Sequence, residues 1–255
     1  MRHIACVTAI LLAFSLAACN HTSKPAQQPE QATLPDSTIT SATHNRCQIT
    51  APVFVPATDE IKDASLQHFL QQLQQAVQQR DAQQLTSLLD PNIATGFDGS
   101  GGSSSFKKRW QLEDQTAAIW PLLHQLLQLG GTYMRQDSTN STFALPYVYS
   151  AWPDSLDAFA YQAVVRDGAI LRAEPDSSAP AICTLGRVIL QTDYNKSYPL
   201  QENGREKTWW YVSSPDGQLH GYLYKSDLYS PVGYRALFNK NKQGQWRMTA
   251  LVSGD

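Results

Sequence analysis

The feature that most constrains this chain is its opening segment, MRHIACVTAILLAFSLAAC. Arg2 precedes an apolar run of 15 residues, Ile4 to Ala18, and the run stops at Cys19. A run this short fits the apolar centre of an export signal and falls short of the roughly 20 residues a membrane-spanning helix needs. It is the one long apolar run in the sequence, which excludes a multi-span membrane fold. With 255 residues, 42% hydrophobic and 10% aromatic, the chain has material for one large or two small cores and is not disordered throughout. A net charge of −2 lacks the basic excess of a nucleic-acid binder.

The order Leu16-Ala17-Ala18-Cys19 resembles the lipobox of bacterial lipoproteins. That resemblance implies that residues 1–18 leave as a signal peptide and that acylated Cys19 becomes the N-terminus, held in a lipid bilayer. One acyl chain anchors weakly, at about 0.8 kcal/mol per buried CH₂, whereas two or three (palmitate among them) hold firmly. For a Gram-negative source the same resemblance implies, through Asn20 where an aspartate would signal inner-membrane retention, an outer-membrane address facing the periplasm. The alternative is an ordinary secretory signal that contains a cysteine. Cys6 lies within the signal, so Cys47 and Cys183 remain for an oxidising compartment, where an even pair reads as a disulfide. Two separate thiols are the other reading. Neither cysteine has CxxC or HxxxH company, so no metal site is expected.

Residues 20–46 are rich in Pro, Gln, Ser, Thr and Ala and contain no aromatic residue. Such a segment cannot bury enough apolar surface to fold. As a coil its 27 residues span about 30 Å. The apolar, proline-bounded ITAPVFVP (Ile49 to Pro56) reads as an extended strap. Residues 19–58 thus form a lipidated cysteine, stem and strap.

Residues 59–160 read as mainly helical. Leu66, Phe69, Leu70, Leu73 and Val77 make one apolar face of a helix expected to start at Asp59, with glutamines opposite. Asp81 is the expected cap of a second helix carrying Leu85, Leu88 and Leu89, closed by Asp90-Pro91. The glycine- and serine-rich loop at 96–105 lacks the strand and the Lys-Ser/Thr pair of a phosphate loop. Phe106 to Leu127 reads as further helices ended by Gly130-Gly131, with His124 a core or boundary residue. Thr142 to Ser150 reads as strand. QQRDAQQLTSLLDPNI (Gln78 to Ile93) is similar to the opening helices of the nuclear-transport-factor-2-like or SnoaL-like α+β cone. The end, Tyr234 to Asp255, resembles that fold's last hairpin, turning at Asn241-Lys242-Gln243-Gly244. The resemblance implies that residues 231–255 complete the α+β domain of 59–160. It places no catalytic Asp-His pair here.

Residues 161–230 alternate short strands and turns, with a turn at Asp167-Gly168, a strand over 182–191 and an insertion over Tyr194 to Lys207. Leu171-Arg172-Ala173-Glu174-Pro175, Ile182-Cys183-Thr184-Leu185, Trp209-Trp210-Tyr211-Val212, Gly221-Tyr222-Leu223 and Leu228 resemble, in order, the blocks of the bacterial SH3 family. The resemblance implies a small all-β barrel, non-catalytic and associated with peptidoglycan or peptides. Trp209, Trp210, Tyr211, Tyr222 and Tyr224 are the candidate ligand-binding residues, since aromatic rings stack on sugars and peptides. Strand alternation divides them between two faces, so part of the set must be core.

The expected fold class is α+β, with an SH3-like barrel beside a helical domain. No catalytic residue is assigned: GxSxG is absent, Cys183 sits in a strand, and Asp154, Asp157 and Glu174 read as solvated loop residues. The expected function is that of a non-catalytic binding or scaffold lipoprotein for peptidoglycan or an envelope protein, with no cofactor and no nucleic acid. The alternatives are a small-ligand-binding cone with an SH3-like accessory domain, and an envelope hydrolase.

Overall fold

The computed structural model describes residues 45–56, 61–96, 101–134, 141–200 and 206–254. The expected signal segment, Cys19 and the expected stem up to residue 44 lie outside the described residues. The described chain is α+β, built on two sheets that each have their own core.

The first sheet is packed by helices. Helix α1 (Ala64–Gln79) starts at Asp63, not at Asp59. The Asp63 carboxylate accepts from the Ser65 and Leu66 amides at 2.8 and 3.2 Å, which satisfies two of the orphan donors of the first turn. Leu66, Phe69, Leu73 and Val77 are buried as their spacing requires, and Arg80 closes the helix at φ 52°. Asp81 caps α2 (Ala82–Ser87), accepting from the Gln84 amide at 2.8 Å. Asp90-Pro91 does not end the structure there. Both residues lie in strand β1 (Leu89–Ala94), an edge strand, where a proline's missing donor is tolerated. Helices α3 (Ser103–Trp110) and α4 (Ile119–Leu129) follow, with Pro121 in the first turn of α4 and Gly130 at its end.

Strands β2 (Thr132–Tyr133) and β3 (Thr142–Leu145) come next. The strand expected through Ser150 stops at Pro146, and Tyr147–Ser150 forms the short helix α5. The last hairpin is present and supplies the centre of this sheet. Numbered with the seven intervening strands, it is β11 (Arg235–Lys240) and β12 (Trp246–Val252), in the order β1-β12-β11-β3-β2. β1 runs parallel to β12, and the other neighbours are antiparallel. Phe69, Leu73, Trp120, Leu123, Phe143, Phe238 and Met248 fill the space between helices and sheet.

The second sheet comprises β4 (Tyr161–Val164), β5 (Ala169–Arg172), β6 (Ala181–Leu185), β7 (Ile189–Tyr198), β8 (Trp209–Ser213), β9 (His220–Tyr224) and β10 (Leu228–Tyr229). Their order is β10-β4-β7-β8-β9-β5-β6. The expected single strand over 182–191 is two strands, broken at Gly186-Arg187-Val188. The expected insertion begins as an extension of β7, whose Tyr198 pairs with Trp209. The sheet does not close into a barrel, because no ladder joins β10 to β6. The free side of β6 is taken instead by residues 45–47, so the end of the segment expected to be a tether is bonded to the sheet just before the strap: Thr184 N–H donates to Asn45 O at 3.0 Å, and Cys47 N–H donates to Thr184 O at 2.8 Å.

Cys47 and Cys183 form a disulfide, with Cα atoms 5.1 Å apart. Beyond it, Phe54 N–H donates to Arg187 O, and the buried Phe54 ring packs 5.1 Å from Tyr147 and 5.6 Å from Trp152. The strap therefore touches both cores.

Candidate functional site

The aromatic residues of β8 and β9 are distributed by the pleat. Val212 and Leu223 point into the second core and are fully buried, and Trp210 packs against that core from the same face. Trp209, Tyr211, Tyr222 and Tyr224 stand on the opposite face. Trp209 pairs with Tyr224 and Tyr211 with Tyr222 in register. Their ring centroids lie 5.2 and 5.3 Å apart, edge to face. Such pairs contribute about 0.5–1.5 kcal/mol each beyond area burial. Tyr198 of β7 extends the row, 5.8 Å from Tyr222, and Lys196 Nζ sits 4.9 Å from the Tyr211 centroid. Burial together with the neighbouring Tyr198 and Tyr211 phenols raises the Tyr222 pKa above its usual value. Of the five candidate residues, four thus share one face. Trp210 does not: it lies 5.9 Å from Tyr194, on the core side.

Trp209 and Tyr224 also line a groove of about 460 Å³. The loop residues Pro175, Asp176 and Ser177 line the same groove, together with Arg166, Arg172 and Asp227. Arg172 shares the face of Tyr222, its partner across β5 and β9, and its guanidinium donates to Ala179 O at 2.6 Å. That bond ties down the loop. Asp176 stiffens it further by accepting from the Ser178 amide and hydroxyl at 2.6 and 2.7 Å, which lowers its carboxyl pKa. Asp227 is 97% buried; desolvation raises its pKa, and Arg166, with Nε 2.9 Å from the carboxylate, counters in part. The groove therefore offers aromatic faces, two guanidinium groups and one buried carboxylate.

Arg166, Arg172 and Asp227 were not among the sequence-derived site residues. Arg172 was legible in principle, since alternation from the core residue Leu171 turns it outward beside Tyr222. Nothing local distinguishes Asp227 from a solvated aspartate. His124, expected at the core or its boundary, is exposed and lines a separate hollow of about 370 Å³ along α1, α4 and β3. Asp154, Asp157 and Glu174 are exposed. Among the described residues no helix is long and apolar enough to cross a membrane.

Comparison with protein-family models, with curated proteins and with solved structures finds no match for this chain.

Proposed function

We propose that this protein is a bacterial envelope lipoprotein, held at the outer membrane through acylated Cys19, whose second sheet is a divergent bacterial SH3-like module that binds peptidoglycan. The signal segment and the lipobox-like Leu16-Ala17-Ala18-Cys19 support the address. The sequence blocks along β5, β6, β8 and β9 support the module assignment, in an open form whose last edge takes up residues 45–47. The nuclear-transport-factor-2-like reading of the first sheet rests on the helix pair α1–α2 and the final hairpin.

One observation carries the binding reading: a groove of about 460 Å³ whose lining includes Trp209, Tyr224, Arg166 and Arg172. Aromatic faces stack on sugar rings, and guanidinium groups pair with carboxylates in a bidentate manner. Peptidoglycan presents both, as glycan and as acidic stem peptide. The protein acts here as a non-catalytic binding module.

The test is co-sedimentation of the full-length chain with isolated sacculi. Trp209→Ala is expected to keep the fold and lose retention, and Arg172→Lys to weaken it. Trp210→Ala is expected to disturb the second core instead, seen as lowered thermal stability. Absence of retention by the wild-type chain would overturn the wall reading and direct the search to an envelope-protein partner by in-cell crosslinking.

A further inference from the structure

The two guanidinium groups of the groove are held differently. Arg172 spends a donor on Ala179 O and so ties down its own loop. Arg166 follows β4, and Asp227 immediately precedes β10. The two stand side by side because Val164 pairs with Leu228 and Val165 N–H donates to Asp227 O at 2.9 Å. Arg166 Nε lies 2.9 Å from Asp227 Oδ1, yet that oxygen has no hydrogen-bond partner, so charge joins the pair and not a directed hydrogen bond. The Asp227 side chain is 4% exposed and that of Arg166 59%. Asp227 is thus a buried, fixed counter-ion. Arg166 lines the groove with its five N–H donors uncommitted to any acceptor among the described residues.

The charges of the lining set the chemical class. Arg166 and Arg172 are matched by Asp176 and Asp227, so the charges balance. A doubly charged phosphate monoester gains no net attraction from a balanced set. A single carboxylate needs only one planar fork, whose two parallel N–H···O bonds fit it. Trp209, Tyr224, Ile170 and Pro175 line the same groove and offer surface for the group that carries the carboxylate. A volume of about 460 Å³ lies within the roughly 300–1,000 Å³ of small-ligand sites, which suits a chain end and not a folded partner.

We propose that Arg166 is the specificity-determining residue of this groove and selects a free terminal carboxylate on a peptide, with Asp227 as its positioning residue. The inference rests on the peptidoglycan reading and names the part of the wall that is recognised: stem-peptide ends that still carry their carboxylate. Cross-linking or amidation turns that carboxylate into a neutral amide and leaves the Arg166 fork without its partner. The protein then favours sparsely cross-linked wall.

The test is calorimetric titration of the full-length chain with N-acetylated D-alanyl-D-alanine, as the free acid and as its terminal amide. Co-sedimentation with sacculi before and after chemical amidation of their carboxylates accompanies it. The acid is expected to bind about tenfold more tightly than the amide, and amidation to lower retention. Arg166→Gln alone would strand a buried carboxylate, so the informative change is Arg166→Gln with Asp227→Asn. That pair removes one charge of each sign and leaves the net charge of the groove unaltered. It is expected to fold and to bind acid and amide alike, about tenfold more weakly than wild type binds the acid. Arg166→Lys keeps the charge, loses the fork and is expected to lose most of the preference. Trp209→Ala is expected to weaken both probes by the same factor. Inorganic phosphate is expected not to displace the acid, and displacement would overturn the ligand class. The inference is overturned if the acid does not bind at millimolar concentration, if wild type binds acid and amide equally, or if the preference survives in the double variant. Retention of native sacculi in any of those cases leaves the wall reading standing. If native sacculi are not retained, the wall reading falls, and the comparison of acid with amide by itself decides the Arg166 assignment.

Discussion

Breaking the Cys47–Cys183 bond is expected to destabilise the whole fold and not merely to release the strap. The two cysteines are 136 residues apart. A cross-link over a loop of that length restricts the unfolded chain by about 17 cal/mol/K in the chain-entropy description, or about 5 kcal/mol at room temperature. Natural disulfides commonly deliver about 2–4 kcal/mol, so about 3–5 kcal/mol is the expected range. The strap has other holds in the native state. Phe54 is buried between Tyr147 and Trp152, a burial that favours docking by about 1.5–3 kcal/mol. Backbone bonds from Cys47, Phe54 and Ile189 add to it. The reduced protein should therefore keep its strap in place and lose stability through its unfolded state. Urea unfolding followed by tryptophan fluorescence checks this on wild type and on Cys47→Ser/Cys183→Ser. With a slope of about 2–3 kcal/mol/M, the midpoint should fall by about 1–2.5 M. Free-thiol titration establishes that the wild-type sample carries the bond. Equal midpoints for a bonded wild type and the double variant would refute the reasoning.

Three further outcomes are expected. Asp63→Ala removes the α1 cap and the partner of Lys240 Nζ, 2.8 Å away, and should cost about 1–2 kcal/mol in urea unfolding at neutral pH. Lys240 and the Ser65 hydroxyl hold the Asp63 carboxyl well below the usual range, so this contribution is fully present above pH of about 4 and is lost as pH falls, and the gap between variant and wild type should narrow in acid. Asp227 has the opposite sign: burial raises its pKa, so its contribution favours the fold at low pH and is lost as pH rises through the raised value. Asp227→Asn should accordingly gain melting temperature relative to wild type between acid and neutral pH, and a constant difference would contradict the assignment. At Gly221, an added Cβ would stand 2.6 Å from Arg172 O, so Gly221→Ala should push β9 from β5, cost about 1–3 kcal/mol in chemical unfolding and weaken sacculus retention.

What the sequence revealed was local. The capping of α2 by Asp81 and the apolar faces of α1 and α2 depend on residues within a few positions of each other. So does the last hairpin, where Asn241 Oδ1 accepts from the Gln243 and Gln245 amides at 3.0 and 2.9 Å. The start of α1 was misplaced because two aspartates competed for the cap. Asp63 stands three residues before Leu66, the first fully buried position, and also meets Lys240 from β11. Contacts with distant partners were not legible. Pro91 looked like a terminator because nothing near it announces the parallel pairing of Leu89 with Met248. The aromatic face was half legible: alternation separates Trp210 from Trp209, but which face is the core depends on the residues opposite.

The treatment of sheet edges narrows how the second sheet can recognise a partner. An edge strand with free amides and carbonyls invites a peptide to add as another strand. Here β10 has two residues, and β6 is bonded along its outer side by Asn45 and Cys47. The disulfide keeps that cover in register. In the first sheet β2 has two residues and β1 contains Pro91. Each edge is thus short, interrupted or covered among the described residues, and strand addition has little to act on. The side-chain face is different, because Tyr198 and Tyr224 are 36% and 41% exposed while their neighbours lock them edge to face. Rings held rigid before binding lose little entropy when a ligand stacks on them. Side-chain recognition in the groove is therefore the mode this architecture leaves open.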